Sequence, residues 1–286
     1  KTNGGDYGWF DEKEGFVDPF KYAGLMGTKG NISVVETQFG YHIIEVLDVS
    51  KTRHTSYKVA QIFKAIEPFN IASLGHNSLK SVQLITEAER RAYADRSFYL
   101  GDPDFVKIPI DTLISTNYNE KRMADFSWEK ATLSSNVKHG NIGGYESDET
   151  THYSIIDQFG NAISATTTLN GAYGSKLYCS ELGFFLNNEM DDFSVKPGVP
   201  NMYGAIGNEK NAIAPGKRML SSMTPTIVLK NNKPYLVVGT PGGTTIPTSV
   251  FQTIVNVIDF GMNANDAVNK PKFHHQWLPD EVFVER

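Results

Sequence analysis

ETTHYSIIDQFGNAISATTTLN (149–170) is the stretch on which the fold turns. Two threonine-bearing segments, ETTHYS (149–154) and ATTTLN (165–170), flank the turn sequence DQFGN (157–161). Alternating polar and apolar residues around a Gly-Asn turn predict a β-hairpin with a loop of about three to five residues. If the hairpin is symmetric about Phe159, cross-strand partners have numbers that sum to 318, and Thr150 faces Thr168. Directly opposed residues of an antiparallel pair hold their Cβ atoms roughly 4.5–5.5 Å apart, close enough for two hydroxyls to meet. Such a pair is what a threonine nucleophile requires, and a common way to activate one is to make it the first residue of a chain, its own α-amine acting as base. The expectation is self-cleavage between Glu149 and Thr150. The competing reading is an ordinary Thr-rich strand pair, since β-branched residues suit a pleated, half-buried surface.

The composition sets the frame for both readings. The sequence has 286 residues, room for one large domain or two smaller ones, and 40% hydrophobic with 21% charged residues is ordinary for a globular protein. A net charge of −5 without a basic stripe gives no footprint for nucleic acid. No window approaches 18 consecutive apolar residues, so no membrane-spanning helix is expected. Cys179 is the only cysteine, which excludes an internal disulfide and a cysteine-based zinc site. Lys1 opens the chain without an apolar leader core, and EVFVER (281–286) closes it in a strand-like run. The expectation is that both ends are cut from longer sequences.

The two parts of the chain differ in character. GGDYGWF (4–10) leads through Pro19-Phe20 and Gly27 to ISVVETQFGYHIIEVLDV (32–49), where alternation from Tyr41 to Leu47 predicts a half-buried strand. YKVAQIFKAIEP (57–68) reads as a resumption of that strand pattern, ending at Pro68. Beyond it, residues 73–100 have helical spacing, with Asn77 or Ser78 as N-cap and Gly101-Asp102-Pro103 as the stop. Residues 133–149 are polar and Gly-containing, suited to a tail released by cleavage. SMTPTIVLK (222–230) and KPYLVVGTP (233–241) predict a second hairpin around Asn231-Asn232, and Ile246 to Phe260 a helix stopped by Gly261.

Residues 1–68 resemble the C-terminal half of a parvulin-type peptidyl-prolyl isomerase, through GGDYGWF and TQFGYHII (37–44), and look most like the isomerase domain of periplasmic folding chaperones. That resemblance places Phe16, Phe20 and His42 in a proline pocket; with the family's first strand and helix outside the sequence, no isomerase activity is expected from this half. From Phe69 onward the chain resembles γ-glutamyltranspeptidase. The motifs, in order, are LGHNS (74–78), ADRSFYLGDPDF (94–105), TTHYS (150–154), FLNNEMDDFS (185–194), NAIAPGKRMLSSMTPTI (211–227), GTPGG (239–243) and FHHQWLPDE (273–281).

The resemblance implies an α+β N-terminal nucleophile hydrolase fold, a four-layer αββα sandwich, here incomplete and preceded by a partial α+β parvulin-like domain. It divides the chain into 1–68, a large-subunit end at 69–149 and a small catalytic subunit at 150–286. It implies Thr150 as nucleophile, Thr168 as the hydroxyl that orients it, and Gly242 and Gly243 as the oxyanion hole, where glycines let N–H groups approach developing charge. Asn170, Glu189 and Asp192 match the acceptors for a substrate α-ammonium, Ser221 and Ser222 the donors for its α-carboxylate, and Tyr203 a lid over the site. The implied activity is γ-glutamyl transfer or glutathione hydrolysis, with amino acids, peptides or water as acceptors, in the periplasm or outside the cell. No cofactor or metal is called for.

Each residue also has a plainer reading: a tight turn at Gly242-Gly243, a solvated loop at Asp191-Asp192, a strand start at Ser221-Ser222. His274-His275 beside Phe273 and Trp277 reads as packing rather than a metal site. An arginine that the family uses to clamp the α-carboxylate has no match here, and Arg218 belongs to another motif. The rival functions are an acylase of the same superfamily, a peptide-binding folding factor or isomerase fragment, and an inactive truncated fusion.

Overall fold

The computed structural model describes the backbone of residues 32–37 and 40–45, and residues 54–138, 150–231 and 233–285. The chain divides into two compact units, Lys1–Arg53 and His54–Arg286. In the first unit β1 (Ile32–Thr37) and β2 (Gly40–Glu45) form an antiparallel pair, Ile32 opposite Glu45 and Thr37 opposite Gly40. Of the strand expected at Tyr41–Leu47, residues 41–45 are therefore present in backbone form, and 46–47 lie outside the described residues. Phe16, Phe20 and the His42 side chain lie outside the described residues.

The second unit begins with a departure from expectation. Residues 57–68, read as a strand, lie largely in a helix, α1 (His54–Ile66). Val59, Ile62, Phe63 and Ile66 recur at the i, i+3, i+4, i+7 spacing of one helical face, and that face is what packs. Val59, Ile62, Ala65 and Ile66 are buried against Leu84, Ile85 and Ala88 of a long helix and Phe251 and Val255 of another. The helical unit thus starts before Pro68–Phe69, where the sequence reading placed its junction. Three short helices or turns of helix follow within this layer: α2 (Ile71–Leu74), α4 (Ile110–Leu113) and α5 (Thr116–Arg122).

The long helix α3 (Leu79–Tyr99) starts where its cap was expected: Ser78 Oγ accepts from the Ser81 amide at 3.1 Å. Its stop before Gly101 also holds. Gly101 is required there, because a Cβ would strike the Lys210 carbonyl group.

The sheet layers carry the site. β3 (Thr151–Ile156) and β4 (Ala162–Thr167) form one antiparallel hairpin; β7 (Thr226–Lys230) and β8 (Lys233–Val238) form another, as the sequence predicted. Between them lies a short ribbon, β5 (Tyr178–Cys179) with β6 (Phe184–Phe185). Helix α6 (Ile246–Ile258) buries Ile246, Val250 and Ile254 against Val228, Leu236 and Val238 of the β7–β8 hairpin. On its other side that hairpin meets β3–β4, where Ser164 Oγ donates to the Val238 carbonyl at 3.1 Å. Among the described residues the order is helices, then β7–β8, then β3–β4: the layering of an N-terminal nucleophile hydrolase fold, with no further layer outside β3–β4 among those residues. α7 (Ala264–Asn269) and a pair formed by β9 (Phe273–His274) and β10 (Phe283–Val284) complete the described residues.

Candidate active site

The hairpin register is the one read from the sequence. Thr151 pairs with Thr167 and Ile156 with Ala162, so partners sum to 318, and the next pair outward is Thr150 with Thr168. Their hydroxyl oxygens are 3.3 Å apart. Asp157 fixes the turn, accepting from the Phe159 amide at 2.8 Å and the Asn161 amide at 2.9 Å, a side chain standing in for backbone at a turn. Thr168 Oγ1 in turn accepts the Asn170 amide at 2.9 Å.

His152 sets this hairpin against the loop that follows β8. His152, on the same face of β3 as Thr150, donates or accepts with Thr166 Oγ1 at 2.8 Å. Its ring occupies the space that a Cβ at Gly239 would need. The same loop runs on to Gly242 and Gly243, both at positive φ (+130° and +53°). A Cβ on Gly243 would sit 2.9 Å from Tyr203 Cδ1, so the glycine is what lets the Tyr203 ring close on the loop. Tyr93 Oη donates to the Thr244 carbonyl at 2.6 Å and pins the loop from the helical side.

Thr150, Thr168, Asn170, Asp192, Tyr203, Ser221, Ser222 and Gly243 line one cavity, with Met223 and Ile246. Glu189, three residues before Asp192, and Gly242, next to Gly243, do not line it. Asn170 is buried at φ +74°, a conformation rare outside glycine that Asn tolerates. Its amide nitrogen donates to the Asn188 carbonyl at 3.1 Å, which leaves the side-chain oxygen as an acceptor. Asn188 Oδ1 accepts from the Gly171 amide at 2.8 Å, a bracing role. Ser221 Oγ accepts from the Met223 amide at 3.1 Å.

Burial raises the Asp192 carboxyl to about 6; Arg96 and Lys58 pull it down and Asp191 pushes it up. Burial, with the Asp192 charge, raises Glu189 to about 7. Both carboxyls are therefore protonated more readily than exposed ones.

Tyr203 is buried, and its hydroxyl donates to the Asn170 carbonyl. Its loop is held by Asn201 Oδ1, which accepts the Tyr203 and Ala205 amides at 3.0 Å each. Asp191, read from sequence only as a possible solvated loop residue, accepts the Met202 amide at 2.9 Å and ties this loop to the acidic turn.

Residues set aside in the sequence have other work. Arg218 pairs with Asp102 at 2.7 Å and Asp104 at 2.6 Å. His274 and His275 are buried; His274 Nδ1 meets Thr248 Oγ1 at 2.8 Å and His275 Nδ1 the Glu281 carbonyl at 2.6 Å. Burial lowers them to about 3 and about 4, the behaviour of packed neutral imidazoles. The sequence reading missed Met223 and Ile246 as lining residues, and Arg96, whose Nη2 lies 3.4 Å from Ser222 Oγ. Its location within ADRSFYL, one turn from a helix end, was the available signal.

Stacked hairpins with helices behind them, and a threonine pair at the hairpin edge beside a glycine loop, make the N-terminal nucleophile hydrolase fold. Cephalosporin acylase from Bacillus halodurans has the same fold, with TM-score 0.59 and 20% identity over 83% of this chain and 42% of that one. The sequence model of gamma-glutamyltranspeptidase matches residues 36–286, and that of the PPIC-type PPIase domain residues 1–50. The chain is 50% identical over 228 residues to the glutathione hydrolase proenzyme of Escherichia coli, covering 80% of this chain and 39% of that protein. It is 46% identical over 246 residues to the glutathione hydrolase proenzyme of Pseudomonas sp., covering 86% and 42%. The chain belongs to the γ-glutamyltranspeptidase family. It spans about two fifths of the length of these curated relatives. No helix among the described residues is long and apolar enough to cross a membrane.

Proposed function

We propose that the chain is a self-cleaving γ-glutamyltransferase and glutathione hydrolase, whose nucleophile is Thr150. The observation that carries this reading is the Thr150–Thr168 hydroxyl pair, 3.3 Å apart, in one cavity with Asn170, Asp192, Ser221, Ser222 and Gly243.

Cleavage of the Glu149–Thr150 peptide bond frees the Thr150 amine, whose reference pKa of roughly 7.7–8.0 suits a base near neutral pH. Thr150 Oγ1 attacks the γ-amide carbonyl carbon and its proton passes to that amine. The carbonyl becomes an oxyanion facing the Gly242–Gly243 amides, each such donor being worth about 10²–10³ in rate. Collapse expels the amine, which takes the proton, and leaves a γ-glutamyl ester on Thr150. Water or the amino group of an acceptor then releases it, regenerating the hydroxyl: ping-pong kinetics. Thr168 holds the nucleophile's oxygen through the one hydroxyl contact. Asn170 Oδ1, Glu189 and Asp192 receive the substrate ammonium and Ser221 and Ser222 its carboxylate, while Tyr203 closes over the site and limits water. Cleavage would leave a fragment from Thr150 onward as a small subunit partnered with the residues before it, in the periplasm or secreted. We assign the residues before His54 to a parvulin-like part, and those from α1 to Glu149, whose helices α1 and α3 pack with α6, to the large-subunit end.

An acylase acting on other amides is the alternative within enzymes. A site built for a free amino-acid head group argues against it, as Asn170, Asp192, Ser221 and Ser222 supply both an ammonium pocket and a carboxylate pocket. Mass spectrometry of the purified chain tests the proposal. Wild type should separate at Glu149–Thr150, and Thr150→Ala should remain whole. The separated protein should hydrolyse a γ-glutamyl anilide at least tenfold faster than the glutaryl analogue that lacks the α-amine. A chain that stays intact would remove the activity, and equal rates on the two anilides would turn the assignment towards an acylase.

A further inference from the structure

We propose that Arg96 is a positioning residue for the substrate head group, aiming the Ser222 hydroxyl at the α-carboxylate from behind the cavity wall. The proposal rests on the γ-glutamyl reading of the site and adds to it a residue that touches no substrate atom.

Arg96 lies in the last turn of α3 and is buried. Its Nη2 donates to Ser222 Oγ at 3.4 Å and to the Leu220 carbonyl at 3.5 Å, and its Nε has no partner. A guanidinium keeps its proton in a protein, and a buried charge is costly unless something opposes it. The groups it touches are neutral; Tyr93 and Asp192 oppose its charge, and of the two the carboxylate is Asp192, which lines the same cavity as Ser222. Lys58, the other buried cation here, stands 4.4 Å from the Tyr93 ring centre with no hydrogen-bond partner on Nζ. Burial, then the Arg96 charge, lowers its pKa well below the ordinary value. It can meet burial by giving up its proton. Arg96 cannot, and is the permanent charge of this wall.

The hydrogen-bond inventory fixes what that charge does. A serine hydroxyl has one proton to donate and two lone pairs to accept with. Arg96 occupies a lone pair of Ser222, so the Ser222 proton is the group left to point elsewhere, and Ser222 lines the cavity. An anion in the cavity receives that proton and sets a negative charge near Arg96. The same residue keeps Asp192 more readily ionised, as an ammonium partner must be. One buried side chain thereby biases both halves of a zwitterion site, and a ligand lacking either charge loses one half of the effect.

The test titrates the full chain with L-glutamate, with 4-aminobutyrate, which lacks the α-carboxylate, and with glutarate, which lacks the α-ammonium. Arg96→Gln and Ser222→Ala should each weaken L-glutamate about 10- to 150-fold, the range for a hydrogen bond to a charged group. The double variant should be no weaker than the weaker single, because both remove one path. Arg96→Gln should change 4-aminobutyrate much less than L-glutamate, and Arg96→Lys should stay within about tenfold of wild type. Multiplying losses, or equal losses for L-glutamate and 4-aminobutyrate, would show a merely structural arginine. Should Arg96→Gln lose its fold on thermal melting, an Arg96→Met background, which keeps the length of the side chain but has no donor, decides. A Ser222→Ala loss as large there as in wild type overturns the proposal, and a smaller one supports it. A wild type that hydrolyses the γ-glutamyl anilide while Arg96→Gln binds L-glutamate unchanged overturns this inference alone. A wild type that neither cleaves itself nor binds L-glutamate overturns the functional reading, and this one with it.

Discussion

A carboxylate that is to hold an ammonium ion has to be sheltered, and shelter opposes its charge. Asp192 and Glu189 carry that conflict: burial raises them to about 6 and about 7, above their unperturbed range near 4. The native state therefore binds protons that the unfolded chain has released. By linkage, the contribution of these two groups to stability falls as pH rises from about 4 to about 7, and is fully present only below the unfolded values; the buried neutral His274 and His275 act in the opposite sense as pH rises from about 4 to about 6.5. Binding of an ammonium favours the ionised pair, so affinity for L-glutamate rises across the carboxylates' window. We expect L-glutamate affinity to grow between pH 5 and pH 8, Asp192→Asn to abolish most of that growth, and the urea midpoint of wild type relative to Asp192→Asn to fall across the same range. A wild-type midpoint that climbs relative to the variant would refute the sign. At this scale the sequence was explicit where residues meet in register: Thr150 and Thr168 could be paired by arithmetic, and the hydroxyls lie 3.3 Å apart. It was silent about Arg96, because its partner is 126 positions away and no periodicity links the two.

Among the elements, the instructive one is α1. Residues 57–68 alternate for a few positions as a strand would, and the strand reading followed. The longer pattern Val59, Ile62, Phe63, Ile66 is helical, and it buries Ile62 completely among Leu84, Phe251 and Val255. Short apolar runs look alike under both periods; the packing partners that decide between them lie on α3 and α6, far off in sequence. The helix is then a structural part of the catalytic unit, since α3 supports Tyr93 and the Gly243 loop, and α6 supports β8. Truncating Ile62 to alanine should cost about 2–5 kcal/mol, read from the urea midpoint at unchanged m-value. A loss below about 1 kcal/mol would mean that α1 is not docked as described. The elements that were legible beforehand, the two hairpins, α3 with Ser78 at its cap, and α6, are those whose turns and caps are written locally.

At the scale of the whole molecule, helices cover one face of β7–β8 and β3–β4 covers the other, but the outer side of β3–β4 and the β5–β6 ribbon present apolar residues to solvent. Tyr153, on the face of β3 opposite His152, lies on the first, and Leu177, Tyr178, Leu182 and Phe184 on the second, Leu182 being 70% exposed. Apolar surface gathered in one region is unusual on a monomeric soluble protein and promotes association, and a hairpin edge adds unpaired backbone groups that favour strand pairing. The chain spans about two fifths of its curated relatives. The prediction is that the isolated chain binds a polarity-sensitive dye and shows a sedimentation mass that rises with protein concentration. Replacing Leu177, Leu182 and Phe184 together by lysine should lower both signals several-fold, since charge on exposed positions opposes stacking of the ribbon. These positions lie away from the Thr150 cavity and line none of it, so cleavage at Glu149–Thr150 should persist in the triple variant. A chain that sediments as a monomer at every concentration and binds no dye would refute the expectation that these faces associate; retained dye binding in the triple variant would place the sticky surface on β3–β4 instead.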